Sequence, residues 1–211
     1  MNVSNSSFIA STTWVNALAG TWIAIVFVAG TVFNGSTLLV FVREPKLVTE
    51  NNMLIVAIVG NGLCMCLFGS GPVIVAEFSG HWDIYLGPTT CKADAFIVYF
   101  FGLSSLFLHV AIAVHRCLEI KQVLSNHISK QKLMCVLVVC MSAALCLSVS
   151  PLLGFGSYGL EAHGTSCGLH WKDRSAGARA FIIINMVFCY SVPILILAIC
   201  YGLILRTVIL F

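Results

Sequence analysis

The sequence predicts an all-α membrane protein, a bundle of helices that cross a lipid bilayer. Of its 211 residues 59% are hydrophobic and only 9% are charged, whereas a soluble domain carries about 25% charged residues. The mean hydropathy is +1.00. The apolar residues form five runs, each close to or above the roughly 20 residues that a crossing helix needs. Because backbone groups in lipid must bond within their own segment, we expect five transmembrane helices.

The five runs define the helices in chain order. The predicted spans are residues 17–42, 53–77, 92–118, 132–153 and 180–210, within a single transmembrane domain of residues 1–211. Polar Asn and Ser residues precede the first span and no basic segment does, so the first helix is expected to be its own insertion signal rather than follow a cleavable one. Residues 154–178 form the longest predicted loop, on the same side as the N-terminus.

The basic residues predict the orientation of the bundle. Lysine and arginine are enriched in cytoplasmic loops, and seven lie on the side of the first loop against four on the other. The seven are Arg43, Lys46, Arg116, Lys121, Lys130, Lys132 and Arg206, and the four are Lys92, Lys172, Arg174 and Arg179. The N-terminus is therefore expected outside the cell, where Asn2 and Asn5 stand in glycosylation sequons.

The third apolar run has a cysteine at one end and an arginine at the other. Arg116 follows Cys91 by 25 residues, which is roughly 37 Å along a helix at about 1.5 Å per residue. A hydrocarbon core is about 30 Å thick, so the two side chains are expected near opposite faces. Cys167 follows after the third and fourth crossings and is therefore expected on the same side as Cys91.

The loop before Cys167 resembles one protein family. Residues 151–161, Pro-Leu-Leu-Gly-Phe-Gly-Ser-Tyr-Gly-Leu-Glu, and residues 165–168, Thr-Ser-Cys-Gly, are similar to the opsin segment that leaves the fourth helix and covers the retinal pocket. Residues 87–91, Gly-Pro-Thr-Thr-Cys, and the pair Pro193 and Tyr201 are similar to the family's third and fifth helices. The chain therefore resembles a divergent opsin, a rhodopsin-like (class A) G-protein-coupled receptor.

The resemblance implies a fold, a function and partners. The fold would be a transmembrane helix bundle of rhodopsin-like type, with five spans present of the family's seven. The function would be that of a photoreceptor, not an enzyme, which uses retinal and signals to a heterotrimeric G protein. The resemblance also implies a disulfide between Cys91 and Cys167. The lipid bilayer and a second receptor copy are further expected partners; nucleic acid is not, because the net charge is only +3 and is scattered, and no metal site is predicted.

One family residue has no counterpart in this sequence. Opsins attach retinal to a lysine in the seventh helix, and none of the six lysines here matches it. We expect the sequence to be a fragment of a complete receptor, the alternative being a truncated product that cannot hold retinal covalently.

Two acidic residues are candidate counterions for a protonated retinal Schiff base. By the resemblance, this acid lies three residues after the helix cysteine or six before the loop cysteine, and Asp94 and Glu161 hold these positions. A buried iminium keeps its proton when an anion lies nearby. The alternatives are an interfacial Asp94 paired with Lys92 and a solvated Glu161.

Arg116 matches the arginine through which the family is activated, but its neighbours differ. His115 replaces the acid that normally holds this arginine, and Cys117 replaces the usual tyrosine. An imidazole cannot supply negative charge, so we expect a weakened restraint on Arg116. The alternative is that Arg116 only reaches to the lipid headgroups.

Two other functions stay open from the sequence. The first is a rhodopsin-like receptor for another small ligand, although the position where amine receptors carry an aspartate is Val98. The second is a truncated receptor partner or scaffold that folds and dimerises without signalling. Sequencing the transcript beyond Phe211 would separate these functions.

Overall fold

The computed structural model describes residues 3–82, 86–120 and 129–210. The helices are α1 (Val3–Arg43), α2 (Glu50–Ser79), α3 (Gly87–Ile120), α4 (Lys130–Val149), α5 (Ala176–Ile184) and α6 (Val192–Leu210). Short 3-10 helices cover Pro45–Leu47 and Ser150–Leu153, and a π-helical turn, Asn185–Ser191, joins α5 to α6. Two strands, β1 (Tyr158–Leu160) and β2 (Cys167–Leu169), lie between α4 and α5.

Among the described residues, five helical segments are long and apolar enough to cross a membrane. They are Thr13–Arg43, Asn52–Ser79, Gly87–Ile120, Lys130–Leu153 and Ala176–Ile209. The first helix differs from its prediction, because α1 extends back to Val3 through the segment predicted to precede it. The segment of residues 3–16 contains no proline or glycine that would interrupt a helix. Asn2 lies outside the described residues, and Asn5 is described only as backbone of α1.

Small and polar residues hold the first three helices together. A β-carbon added to Gly30 would lie 2.5 Å from Sγ of Cys66, so α1 approaches α2 closely only because Gly30 has no side chain. Asn61 on α2 donates to the carbonyl of Phe101 at 2.8 Å and to the hydroxyl of Ser105 at 2.7 Å, both on α3. Such bonds stabilise helix pairs in lipid, where helix association has no hydrophobic driving force.

The fifth span is interrupted by the π-helical turn. Pro193 has no N–H to offer the carbonyl four residues earlier, and its ring crowds that carbonyl. The helix widens over the residues immediately before Pro193, and the hydroxyl of Ser191 donates to the carbonyl of Met186 at 2.9 Å. A single π turn of this kind accommodates a local mismatch without ending the helix.

The loop between α4 and α5 forms a β-hairpin over one end of the bundle. Its strands pair antiparallel, with Tyr158 opposite Leu169 and Leu160 opposite Cys167. The chain reverses in a turn that ends at Gly164, whose φ of +79° is readily adopted by glycine. The sequence analysis treated this segment as a loop, since three-residue strands are too short to give a clear alternating pattern.

The hairpin is fixed to the helices by a disulfide and by a buried tryptophan. Cys91 at the start of α3 is bonded to Cys167 on β2, with Cα atoms 5.4 Å apart. Trp82, in the α2–α3 connection, is fully buried, and its backbone N–H donates to the carbonyl of Gly164 at 3.0 Å. We call this side of the molecule the disulfide end.

Buried apolar side chains form three clusters in the described part of the chain. The cluster at the disulfide end contains Ala76, Trp82, Cys91, Ala95, Tyr158, Cys167, Leu169 and Phe181. A second cluster joins α2, α3 and α4 through Met53, Leu54, Leu108 and Leu133. A third joins α3 to α6 through Ala113, Cys117 and Cys200. α3 contributes to all three and is therefore the central helix of the bundle.

Removing the disulfide should destabilise the fold. Cys167→Ser should lower the free energy of unfolding by about 3 kcal/mol, because the 76-residue separation between the cysteines is no longer constrained in the unfolded chain. Thermal unfolding in detergent measures the loss, with Cys146→Ser as the control because Cys146 is exposed and unbonded. Peptide mass spectrometry without reduction should find the Cys91–Cys167 link; free alkylation of both thiols in folded protein would contradict it.

Candidate functional site

Asp94 has a buried carboxylate at the disulfide end. It lies on α3 between Cys91 and Ala95, two members of the apolar cluster, and is only 2% exposed. Within the described residues, neither carboxylate oxygen has a hydrogen-bond partner. Lys92, the alternative partner considered from the sequence, is exposed and forms no ion pair with it. A buried anion without a donor or cation is strongly unfavourable, so this site calls for a positively charged or donating group.

Aromatic and amide side chains join three helices to the hairpin at the same end. The Tyr99 hydroxyl on α3 donates to Oδ1 of Asn185, and Nδ2 of Asn185 donates to the carbonyl of Phe181 at 2.8 Å. Tyr158 contacts Tyr99 edge-on, with ring centroids 6.1 Å apart, and donates to the carbonyl of Ser148 at 2.9 Å. Burial raises the pKa of the Tyr158 phenol, which keeps it a donor.

The sequence analysis did not select Tyr99 or Asn185. A polar amide inside an apolar span is a signal of function or of interhelical bonding, and Asn185 carries that signal. Neither residue belonged to the motifs that carried the resemblance, so their contact across α3 and the fifth span is visible only in the folded chain.

Glu161 lies in a different environment from Asp94. It is exposed at the turn of the hairpin, and its Oε2 accepts a hydrogen bond from the hydroxyl of Ser166 at 2.9 Å. Its carboxylate rests against Gly168, where an added β-carbon would collide with Oε1. Of the two candidate counterions, Asp94 is therefore buried without a partner and Glu161 is exposed with one.

A buried hydrogen bond between Glu77 and Thr165 joins α2 to the hairpin turn. Thr165 is fully buried, and its Oγ1 donates to Oε1 of Glu77 at 2.9 Å. Glu77 was not among the candidate residues predicted from the sequence. The contact shows that this carboxylate helps to hold the hairpin over the bundle.

Arg116, His115 and Glu119 meet at the other end of α3, which we call the arginine end. Nη1 of Arg116 donates to Oε2 of Glu119 at 3.0 Å, and Nδ1 of His115 lies 3.5 Å from the same oxygen. His115 is 8% exposed and Arg116 is 41% exposed. Glu119 was not predicted from the sequence, because an acidic partner for Arg116 was expected only at position 115, although side chains three apart on a helix are neighbours.

The lysines, the apolar groove and the possible metal ligands of the described residues add no further site for a charged ligand. The lysines in the described ranges are exposed: Lys46, Lys92, Lys130, Lys132 and Lys172; Lys121 lies outside those ranges. An apolar groove of about 600 Å³ runs along α1 and reaches Phe78 on α2, and no ionisable side chain lines it. Over the same described residues, no group of three or more His, Cys, Asp or Glu side chains could hold a metal ion.

Comparison with known proteins identifies the family. The sequence model described as 7 transmembrane receptor (rhodopsin family) matches residues 33–210. The chain belongs to this family. It is a family of membrane receptors rather than of enzymes, so this rhodopsin-family chain is a multi-pass membrane protein.

Similar curated proteins carry the names of opsins. A melanopsin-like protein of Danio rerio is 32% identical over 90% of this chain and 38% of its own length. The violet-sensitive opsin of Xenopus laevis is 30% identical over 90% of this chain and 55% of its own length. A Gq-coupled rhodopsin of Mizuhopecten yessoensis is 27% identical, again over 90% of this chain and 38% of its own. The rhodopsin-family chain thus spans about half the length of these relatives or less.

The fold matches that of a solved opsin structure. The crystal structure of squid rhodopsin superposes with a TM-score of 0.83 over 93% of this chain and 56% of that chain, at 24% sequence identity. The predicted rhodopsin-like bundle, with five of the family's seven spans, is therefore confirmed.

The Glu77–Thr165 bond should contribute measurably to hairpin docking. In this rhodopsin-family chain, Thr165→Val keeps the shape of the side chain but leaves a buried carboxylate oxygen without its donor, which should cost about 2 kcal/mol of unfolding free energy. Thr165→Ser retains the hydroxyl and is the matched control. Equal melting temperatures for the Val and Ser variants in detergent would show that the bond adds no stability.

Proposed function

We propose that this chain is the first five spans of an opsin, a photoreceptor that binds retinal and signals to a heterotrimeric G protein. The family membership supports a receptor, and the names of the relatives support an opsin among receptors. Residues 1–211 act as one transmembrane domain with the N-terminus outside the cell. The disulfide end then faces outward, and the arginine end faces the G protein.

The buried carboxylate of Asp94 carries this proposal. A scaffold that only packs against other helices has no need of a carboxyl group that is 2% exposed and has no hydrogen-bond partner in an apolar cluster. A receptor for a cationic ligand does, because the anion stabilises the ligand's charge and the ligand removes the cost of burying the anion. The negative charge of an ionised Asp94 is opposite to the positive charge of a protonated Schiff base and would stabilise it.

The residues present fit retinal at the disulfide end. Retinal, when bound, supplies the absorption of light and a change of shape on isomerisation. Asp94 would stabilise the positive end of the ligand, and Tyr99, Tyr158 and Phe181 would offer aromatic surface to its apolar part. The hairpin, held by the disulfide, would keep water away from the carboxylate, and exclusion of water strengthens the attraction between the charges.

Asp94 is the better supported of the two candidate counterions. Glu161 is exposed to solvent and already accepts a hydrogen bond from Ser166, so water and the hydroxyl satisfy it. A solvated carboxylate gains little from a nearby cation in comparison with a buried one. A receptor for an amine is less favoured, because Val98 on α3 holds the position at which the family's amine receptors carry their aspartate.

The arginine end is the proposed surface for the G protein. Arg116, 41% exposed, would bind the partner after a shift of the packed helices. Arg43, Lys130 and Arg206 are also exposed at this end and add positive charge around it. The bilayer surrounds the apolar faces of the helices, and a second receptor copy is a further candidate partner.

The decisive experiment for this function uses the full-length protein. Purified receptor mixed with 11-cis-retinal should give a visible absorption band and light-dependent nucleotide exchange on a G protein. Asp94→Asn should move the band to the ultraviolet at neutral pH, since the Schiff base loses its stabilising anion and releases its proton. Glu161→Gln is the matched control and should keep the visible band.

The reverse result would change the assignment. A visible band in Asp94→Asn and an ultraviolet band in Glu161→Gln would transfer the counterion to the hairpin. Should Asp94→Asn fail to fold, Asp94→Glu keeps the charge and should retain visible absorption.

The 211 residues alone should not form a stable pigment. None of their six lysines matches the retinal-binding position, and an exposed amine such as Lys92 gives at best an imine open to hydrolysis. Absorption spectroscopy of the isolated chain with 11-cis-retinal should show no visible band that resists hydroxylamine in the dark. Addition of an opsin's sixth and seventh helices is the positive control, and a resistant band without them would contradict this prediction.

A further inference from the structure

Arg116 and His115 share one carboxylate oxygen at the arginine end. Oε2 of Glu119 accepts from Nη1 of Arg116 at 3.0 Å and lies 3.5 Å from Nδ1 of His115. Glu119 is 30% exposed, whereas His115 is nearly buried. The three side chains come from two successive turns of one helix, so their mutual distances do not depend on any loop.

We propose that Glu119 is the positioning residue that restrains Arg116, and that protonation of His115 weakens this restraint. The inference rests on the proposed function for its effect on signalling, but not for the contact itself. The sequence led us to expect a weakened restraint on Arg116 because His115 replaces the preceding acid, and Glu119 provides an acid at a different position.

The direction of the pH effect follows from the charges. A neutral His115 adds no charge, so Glu119 is free to pair with Arg116. A protonated His115 becomes a second cation on the same oxygen: it competes for the carboxylate and repels the guanidinium beside it. Movement of Arg116 away from the cluster relieves this repulsion and leaves Glu119 paired with His115. Acidification through the range in which imidazoles titrate, between about pH 5 and 8, should therefore favour the released arginine.

The ion pairs of the cluster in the described ranges are those of Glu119 with Arg116 and with His115. The elements packed against α3 contribute Glu50 on α2, Lys130 and Lys132 on α4, and Cys200, Tyr201 and Arg206 on α6. Glu50 accepts a hydrogen bond from the backbone N–H of Lys130 at 3.1 Å, which occupies that carboxylate elsewhere.

The contact is tested first without any G protein. Full-length protein in nanodiscs is treated with phenylglyoxal, which reacts with guanidinium groups, and peptide mass spectrometry gives the ratio of modified Arg116 to modified Arg206. Arg206 is exposed on the same side of the bundle and serves as the internal standard for the reagent's own pH dependence. Glu119→Gln should raise the ratio about threefold at pH 8, the scale expected for a partly exposed ion pair.

Two variants control this measurement. Glu44→Gln removes an exposed acid at the end of α1 outside the cluster and should leave the ratio unchanged. His115→Glu in the Glu119→Gln background returns an acid next to Arg116 and should restore the ratio to its original value, which a purely structural role for Glu119 would not allow.

The role of His115 is read from the pH profile. The ratio should rise in the unmodified protein as the pH falls from 8 to 6, and it should stay flat in His115→Gln. The inference is overturned if Glu119→Gln matches the unmodified protein at pH 8, or if His115→Gln keeps the full slope. If Glu119→Gln does not fold, the two pH profiles still decide.

Signalling provides the second readout. Nucleotide exchange in the dark should increase in Glu119→Gln by about the same factor as the labelling ratio, and it should rise at low pH only when His115 is present. If no variant stimulates exchange in light or dark while the labelling ratios behave as expected, the proposed function fails and the Glu119 restraint stands.

Discussion

The disulfide between Cys91 and Cys167 ties the start of the central helix to the second strand of the hairpin. Each three-residue strand is too short to hold its position by pairing alone, so the covalent link decides where the hairpin lies. Three contacts then depend on that position: the bond from Trp82 to Gly164, the bond from Thr165 to Glu77, and the packing of Tyr158 on Tyr99. Burial of Asp94 depends on the same cover, because its neighbours on α3 pack in the cluster that the hairpin completes.

The ionisable side chains at the two ends of α3 lie in opposite environments. At the disulfide end Asp94 is kept away from solvent without a partner, which makes its carboxylate receptive to a cation. At the arginine end Arg116 and His115 share one oxygen of Glu119, and the Arg116 and Glu119 side chains remain partly exposed, so the contact is weak enough to change with a small input. A strong, specific interaction is suited to holding a ligand, and a weak one is suited to switching.

The sequence alone predicted the features that depend on hydropathy averaged over many residues or on the spacing between two residues. Five spans follow from hydropathy over about 20 residues, and the position of Arg116 follows from its distance to Cys91. The hairpin was not predicted, because strands of three residues are too short to give a clear alternating pattern. The start of α1 was missed because polarity marks where a span leaves the lipid and not where the helix ends.

Part of the candidate site was also predicted from the sequence, and the rest depends on contacts that form only in the folded chain. The resemblance to opsins selected both Asp94 and Glu161 by their positions relative to the two cysteines, but only the folded chain shows which of them is covered. Glu119 was missed because the expected acid was sought directly before Arg116 rather than one turn after it. Tyr99 and Asn185 come from different helices, and a single sequence without related sequences gives no signal that links them.

The π-helical turn divides the fifth span into two halves whose side chains follow different helical registers. An extra residue in a turn rotates the side chains on one side of it relative to those on the other, so each half sets its own register. The half before the turn packs through Phe181 against Tyr99, and the half after it packs through Cys200 against Ala113 and Cys117. Both halves of the fifth span therefore contact α3, one on each side of a turn that lets each half keep its own register.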